Sequence, residues 1–175
     1  MHPVAHPPRA QTGFTLIEVL ITVFVLAVGL LALAALQTRS LRDTAAAQMR
    51  STATLLAYDI ADRMRANAAG LSGYVRTDTG AITLTVPDKL CTAASSDAIA
   101  ANVCTATELA SADLYQWLLT LTDGRNGLPD ARATIACDGG DCNVATAVRT
   151  VTISWSQSRT TADTTGQSVV LRYQP

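Results

Sequence analysis

Glu18 is the residue whose chemistry most needs explaining. It is the one charge in a run that is otherwise apolar, Gly13-Phe-Thr-Leu-Ile-Glu-Val-Leu-Ile-Thr-Val-Phe-Val-Leu-Ala-Val-Gly-Leu-Leu-Ala-Leu-Ala-Ala-Leu36. From Val19 to Leu36 there is no charge, and Thr22 is the only clearly polar residue. A carboxylate near the middle of a membrane helix costs about 2.5–3.5 kcal/mol on insertion scales, and less near the interface. Glu18 therefore either sits at a helix start, where it snorkels or protonates, or meets a positive charge supplied by another chain.

The other reactive types are few. Both histidines, His2 and His6, precede Gly13. A chain cut after that glycine would carry no histidine, which removes histidine general bases and histidine metal ligands. Lys89 is the only lysine, and it stands beside Asp88 with no matching serine motif. There is no Gly-x-Ser-x-Gly, no Walker loop and no dinucleotide fingerprint. These absences describe a protein that is not an enzyme and needs no cofactor. A formal net charge of -1 offers no basic field for nucleic acid.

Four cysteines, Cys91, Cys104, Cys137 and Cys142, allow three pairings. Outside the cytoplasm, thiols near one another oxidise, which favours Cys91–Cys104 and Cys137–Cys142. On the loop-entropy model these bonds contribute about 3 and about 2 kcal/mol. A four-thiolate zinc site would want paired C-x2-C knuckles, and these spacings lack them. The acidic loops Asp123–Asp130 and Cys137–Cys142 suggest calcium, but neither has the Asp-x-Asp-x-Asp-Gly spacing or a closing glutamate. Turn chemistry accounts for their Asp, Asn and Gly residues, so no metal site is expected.

Residues 1–13 hold three prolines and Arg9 and form a short polar leader. Phe14 to Leu36, at ~1.5 Å per residue, covers roughly 35 Å as a helix, enough to cross a bilayer core of ~30 Å. Residues 37–68 continue as an amphipathic half, with a stripe through Leu41, Ala45, Met49, Thr52, Leu56, Ile60 and Met64. No proline interrupts residues 9–86, so both halves can be one helix. Asn67 and Gly70 punctuate its end.

Residues 69–175 read as a small head. Strands are expected over Ala81–Val86 (stopped by Pro87), Ala131–Ala136, Ala147–Gln157 and Gln167–Tyr173. Residues 88–107 read as a loop and Ser158–Gly166 as a hairpin connection. Glu108–Thr122 reads as a helix with a face of Leu114, Trp117, Leu118 and Leu121. The fold class is α+β: a long N-terminal helix packed on a small, mainly antiparallel β head.

Gly13-Phe14-Thr15-Leu16-Ile17-Glu18 resembles the processing motif of type IV prepilins and type II secretion pseudopilins. The resemblance implies cleavage by a prepilin peptidase between Gly13 and Phe14 and N-methylation of Phe14. It also implies pairing of the Glu18 carboxylate with the N-terminal amine of a neighbouring subunit. An ammonium beside a carboxylate in a low-dielectric bundle offsets two isolated-charge penalties at once. Arg63-Met-Arg-Ala-Asn67 and Gly29-Leu-Leu-Ala-Leu-Ala-Ala-Leu-Gln37 are similar to segments of the minor pilins called PilV.

The partners so implied are the peptidase, other minor pilins, the major pilin, the inner-membrane assembly platform and membrane lipid. Arg9 before the apolar run and Arg39 and Arg42 after it balance. The short leader and the resemblance place the N-terminus in the cytoplasm and the head in the periplasm, then in the pilus, with the tip one candidate position. Two readings on the same fold are a minor pseudopilin of the GspI kind, and a tip adhesin using the loop between Cys91 and Cys104.

Overall fold

A computed structural model describes residues 13–77, 79–91, 104–125, 127–139, 142, 147–156 and 166–174. Expectations for the leader at 1–12, the loop at 92–103 and the connection at 157–165 lie outside the described residues. The chain divides into two compact units, Met1–Thr44 and Ala45–Pro175. Helix α1, Leu16–Ala66, supplies residues to both.

In the first unit, the stretch of α1 from Val19 to Leu36 is apolar on every side. Its most apolar 18-residue window has a mean hydropathy of 2.9, and none of that window is buried inside the protein. A helix apolar all round suits a lipid or protein surround rather than water. Each threonine hydroxyl on this part of α1 is satisfied by its own backbone: Thr22 donates to the Val19 carbonyl, Thr38 to Ala34 and Thr44 to Ser40.

The second unit holds the core. Ala53, Ala57, Ile60, Ala61 and Met64 form one buried face of α1. The expected stripe lay slightly to one side of it. Ile60 and Met64 are buried and Met49, Thr52 and Leu56 are half-buried, but Ala45 is exposed and Leu41 is 73% exposed. The buried line runs through the alanines because small side chains admit a bulky neighbour. The Trp117 indole N–H comes close enough to donate to the Leu56 carbonyl at 2.8 Å.

After α1 the chain tightens into a 3-10 helix, η1 (Ala68–Tyr74). Helix α2, Ala106–Thr122, buries Ala110, Ala112, Trp117, Leu118 and Leu121. It begins two residues before the expected Glu108 because Thr105 caps it. The Thr105 hydroxyl accepts from the Glu108 amide, and the Glu108 carboxylate accepts from the Thr105 amide. The Thr-x-x-Glu signature of this capping box stands in the sequence.

Strands β1 (Arg132–Cys137), β2 (Arg149–Trp155) and β3 (Gln167–Tyr173) form one antiparallel sheet in the order β1-β2-β3. Register puts Ile135 opposite Val151 and Val151 opposite Leu171. The next row aligns Ala133, Ile153 and Val169. These rows face the core, and the alternation that predicted the strands is the alternation that buries them.

Ala81–Val86 is not a strand. The backbone bridge to the ladder lies upstream, where Arg76 and Ile135 exchange both backbone hydrogen bonds. The Arg76 side chain also donates to the Ala133 carbonyl on the same edge of β1. With that edge taken, residues 81–87 lie elsewhere. Thr83 and Thr85 line a groove with Ser111 and Tyr115 of α2, while Val86 is 65% exposed.

Candidate functional site

The head of α1 collects the residues singled out by their chemistry. Gly13, Phe14 and Thr15 precede the helix, and Glu18 lies in its first turn. Thr15 accepts from the Glu18 amide through both its carbonyl, at 3.1 Å, and its hydroxyl, at 3.3 Å. The helix dipole favours a carboxylate in this turn. Phe14 is 84% exposed, and neither Gly13 nor Glu18 is covered. A Cβ at Gly13 would meet nothing within 4 Å, so packing gives no reason for glycine there. Among the described residues, Glu18 makes no ion pair.

The second candidate lies where α1 ends. Arg63 binds Asp59 on its own helix at 3.1 Å and Asp113 of α2 at 3.3 Å. The Tyr74 hydroxyl donates to the other Asp113 oxygen at 2.6 Å. Buried Asn67 donates from Nδ2 to the Ala106 carbonyl at 2.7 Å. Met64 is fully buried, and its sulfur accepts from the Tyr173 hydroxyl of β3. Arg65 binds Asp62 and lies over the Tyr173 ring, 4.8 Å from its centre. The Arg-Met-Arg-Ala-Asn segment is thus a joint that fastens α1 to α2, η1 and β3.

Close approach supports the joint. A Cβ on Gly70 would stand 2.2 Å from the Ala106 carbonyl oxygen, and one on Gly73 would stand 2.7 Å from the Ala110 Cβ. These glycines are required by contact between η1 and α2. Tyr74 and Asp113 are the partners that the sequence reading did not single out. The signal was faint, since nothing local in the sequence ties Asp113 to Arg63, 50 positions away.

Burial, reinforced by the hydrogen bond to Asp113, pushes the Tyr74 hydroxyl well above the usual tyrosine range. Burial pushes Tyr173 up to about 12, although Arg149 and Arg65 pull the other way. Burial alone would lower the Arg63 guanidinium, but Asp59 and Asp113 more than offset it and hold it above its ordinary value. None of these groups is set to exchange a proton near neutrality.

Cys91 is bonded to Cys104 and Cys137 to Cys142, with Cα separations of 5.9 Å and 5.4 Å. The first bond sits beside the α2 cap, where Lys89 pairs with Glu108 at 2.9 Å. The Thr105 amide, and then Lys89, hold the Glu108 carboxyl below the usual glutamate range. The second bond is braced by buried Arg149, which donates to the Cys142 and Ala147 carbonyls. Asp138, within that loop, pairs with Arg172 of β3. All four sulfurs are engaged in disulfides. Among the described residues, no group of three or more His, Cys, Asp or Glu side chains comes together.

Comparison with known families agrees with this arrangement. Residues 35–115 match the family model described as Type IV pilin Tt1218. Residues 8–34 match the prokaryotic N-terminal methylation motif. The long apolar N-terminal helix and small antiparallel sheet are those of the type IV pilin fold. The fold and the two matches make this chain similar to the type IV pilins, which are a structural protein family. The particular model matched is Tt1218-like, and its segment contains the part of the joint that runs from Asp59 to Asp113, though not Tyr173 of β3. No curated protein and no solved structure matches the chain. The class and its motif imply a component of a pilus or pseudopilus, cut by a prepilin peptidase, anchored in a membrane and assembled with other pilins.

Proposed function

We propose that this chain is a minor pilin of the PilV kind, acting with other minor pilins to prime assembly of a type IV pilus. The peptidase cuts between Gly13 and Phe14, residues 1–13 leave as the leader, and Phe14 becomes the methylated N-terminus. Residues 14–36 cross the inner membrane and residues 37–68 carry the helix outward to a periplasmic head, residues 69–175. The mature chain then leaves the membrane for the pilus.

One observation carries this reading: three exposed residues at the start of α1 have chemistry that the chain itself does not use. Gly13 has no packing role, Phe14 covers nothing, and Glu18 makes no ion pair among the described residues. All three roles are filled by other molecules, which are the peptidase, the methyl donor and a neighbouring subunit. The charge pairing has a physical rationale in a water-poor bundle. There an ammonium and a carboxylate are each costly alone and tolerable together.

Mass spectrometry of the protein from pilus-producing cells tests the proposal. The expected mature chain begins at N-methylated Phe14. An intact leader in such cells overturns it.

A further inference from the structure

Resting on the membrane-spanning reading above, we propose that Arg39 and Arg42 form a phosphate-binding pair for lipid headgroups. The pair would fix how deeply α1 sits in the bilayer before assembly.

Position is the first support. The apolar run ends at Leu36, so the two arginines begin ~4.5 Å and ~9 Å further along the helix at ~1.5 Å per residue. Bilayers add a headgroup layer of several ångströms on each side of a ~30 Å hydrocarbon core. Residues 39–42 fall in that layer when residues 14–36 fill the core.

The second support is the state of the side chains. Arg39 and Arg42 are three apart on α1, which places them on neighbouring parts of one face. Both are exposed, and no ion pair is made by either among the described residues. Asp43 is the only acid near them in sequence, and it pairs with neither. The hydroxyls of Thr38 and Thr44, on either side, already donate to the Ala34 and Ser40 carbonyls. The two guanidiniums are therefore the cationic groups of this segment available to something outside the chain.

The third support is chemical fit. A guanidinium presents planar donors that match a phosphate oxygen pair, and it sheds water more readily than an ammonium. Long cationic side chains near helix ends reach the interface while their stems stay on apolar surface. Two arginines after the span also work against orientation by the positive-inside rule. A gain at the far headgroup layer offsets that cost.

The experiment reads depth with nitroxide labels on the full chain in phospholipid vesicles. All four native cysteines are bonded, so Ala27→Cys and Gln37→Cys can each be labelled alone. The Ala27 label reports spanning by itself. If it lies near water, the membrane reading fails and the inference falls with it. With Ala27 deep, the Gln37 label is expected just inside the phosphate level. It should shift by up to about one helical turn, ~5 Å, in Arg39→Gln/Arg42→Gln. Arg39→Lys/Arg42→Lys, which keeps the charge, should retain most of the wild-type depth. An unchanged depth in the glutamine variant overturns the inference. So does an equal shift of the wild-type label on adding excess inorganic phosphate, because the pair would then be a site for free anion.

Discussion

The start of α1 and its end both carry charged groups, and they treat those groups in opposite ways. At the start, Glu18 is exposed and makes no ion pair within the chain among the described residues. At the end, Arg63, Asp59, Asp113, Tyr74 and Asn67 satisfy one another across α1, η1 and α2. A polar group left unpaired in an apolar setting is costly, so its persistence points to a partner from outside. A network that closes on itself specifies a packing geometry and asks for nothing further. On the proposed reading, the same helix presents an assembly surface at one end, while its other end is a fixed joint.

Two glycines test that division most sharply. Gly13→Ala should leave most of the precursor uncut and outside the pilus, with the head's thermal stability unchanged, because the added methyl meets nothing. Efficient processing of that variant would remove Gly13 as the cut site. Gly70→Ala should do the reverse, since its methyl collides with the Ala106 carbonyl. Overpacking of this kind costs about 1–3 kcal/mol, or about 2–4 °C in melting temperature per kcal/mol for a chain this size. An unaltered melting curve for Gly70→Ala would mean that η1 and α2 do not approach as closely as described.

Glu18→Ala probes the open end alone. Cleavage and membrane insertion should persist, because the change makes the helix more apolar, while incorporation into filaments should fall. Immunoblots of sheared pili against membrane fractions separate the two. Normal incorporation would reject the pairing role.

These two ends also differed in how legible they were in the sequence. Gly13, Phe14 and Glu18 stand out in the sequence because the signal is local: a motif and one discordant charge within six residues, opening an apolar run. β3 was read to the residue, and β1 and β2 nearly so, because alternation is a local signal that burial obeys. The joint was not readable in this way. Asp113 lies 50 positions from Arg63, and only the packing of α2 against α1 brings them together. Ala81–Val86 shows the converse failure. Its alternation is strand-like, but a strand needs a free edge, and Arg76 occupies the one on β1. The buried face of α1 was misplaced for a related reason. Alanines at 53, 57 and 61 weigh little in a hydropathy pattern yet permit the closest contact.

At the closed end, Asp113→Ala takes the short acceptor from the Tyr74 hydroxyl, which keeps only its longer contacts with the Arg63 carbonyl at 3.5 Å and Asn67 Nδ2 at 3.4 Å, and leaves Arg63 with Asp59 alone. A loss of about 1–3 kcal/mol is expected by urea denaturation. Tyr74→Phe should cost less, about 1 kcal/mol, since both partners keep other contacts or reach water. The network also predicts an alkaline limit. The folded value of Tyr74 lies above its unfolded value near ~10, so its contribution is complete below that pH. The contribution drains away as pH rises from there through the folded value. Stability should fall in that window with the onset of tyrosinate absorbance, and less steeply in Tyr74→Phe. Equal slopes in the two proteins would show that the fold does not raise the Tyr74 hydroxyl, whether by burial or by the bond to Asp113.

The smallest expected effect separates two parts of a single cap. Thr105→Ala removes the hydroxyl that accepts from the Glu108 amide, a loss of about 1 kcal/mol at neutral pH. It leaves the Thr105 backbone amide, which is the main reason the Glu108 carboxyl is held below its usual range. A lowered carboxyl contributes stability above its unfolded value near ~4.3 and loses it as pH falls through the folded value. Thr105→Ala should therefore shift the denaturation midpoint by a similar amount at pH 7 and in acid, keeping the acid slope. Glu108→Gln should flatten that slope, because it removes the titrating group together with its pairing to Lys89. If Thr105→Ala flattened the slope as much as Glu108→Gln, the hydroxyl rather than the backbone amide would be what holds the carboxylate. The helix start would then depend on one side chain instead of a reciprocal pair.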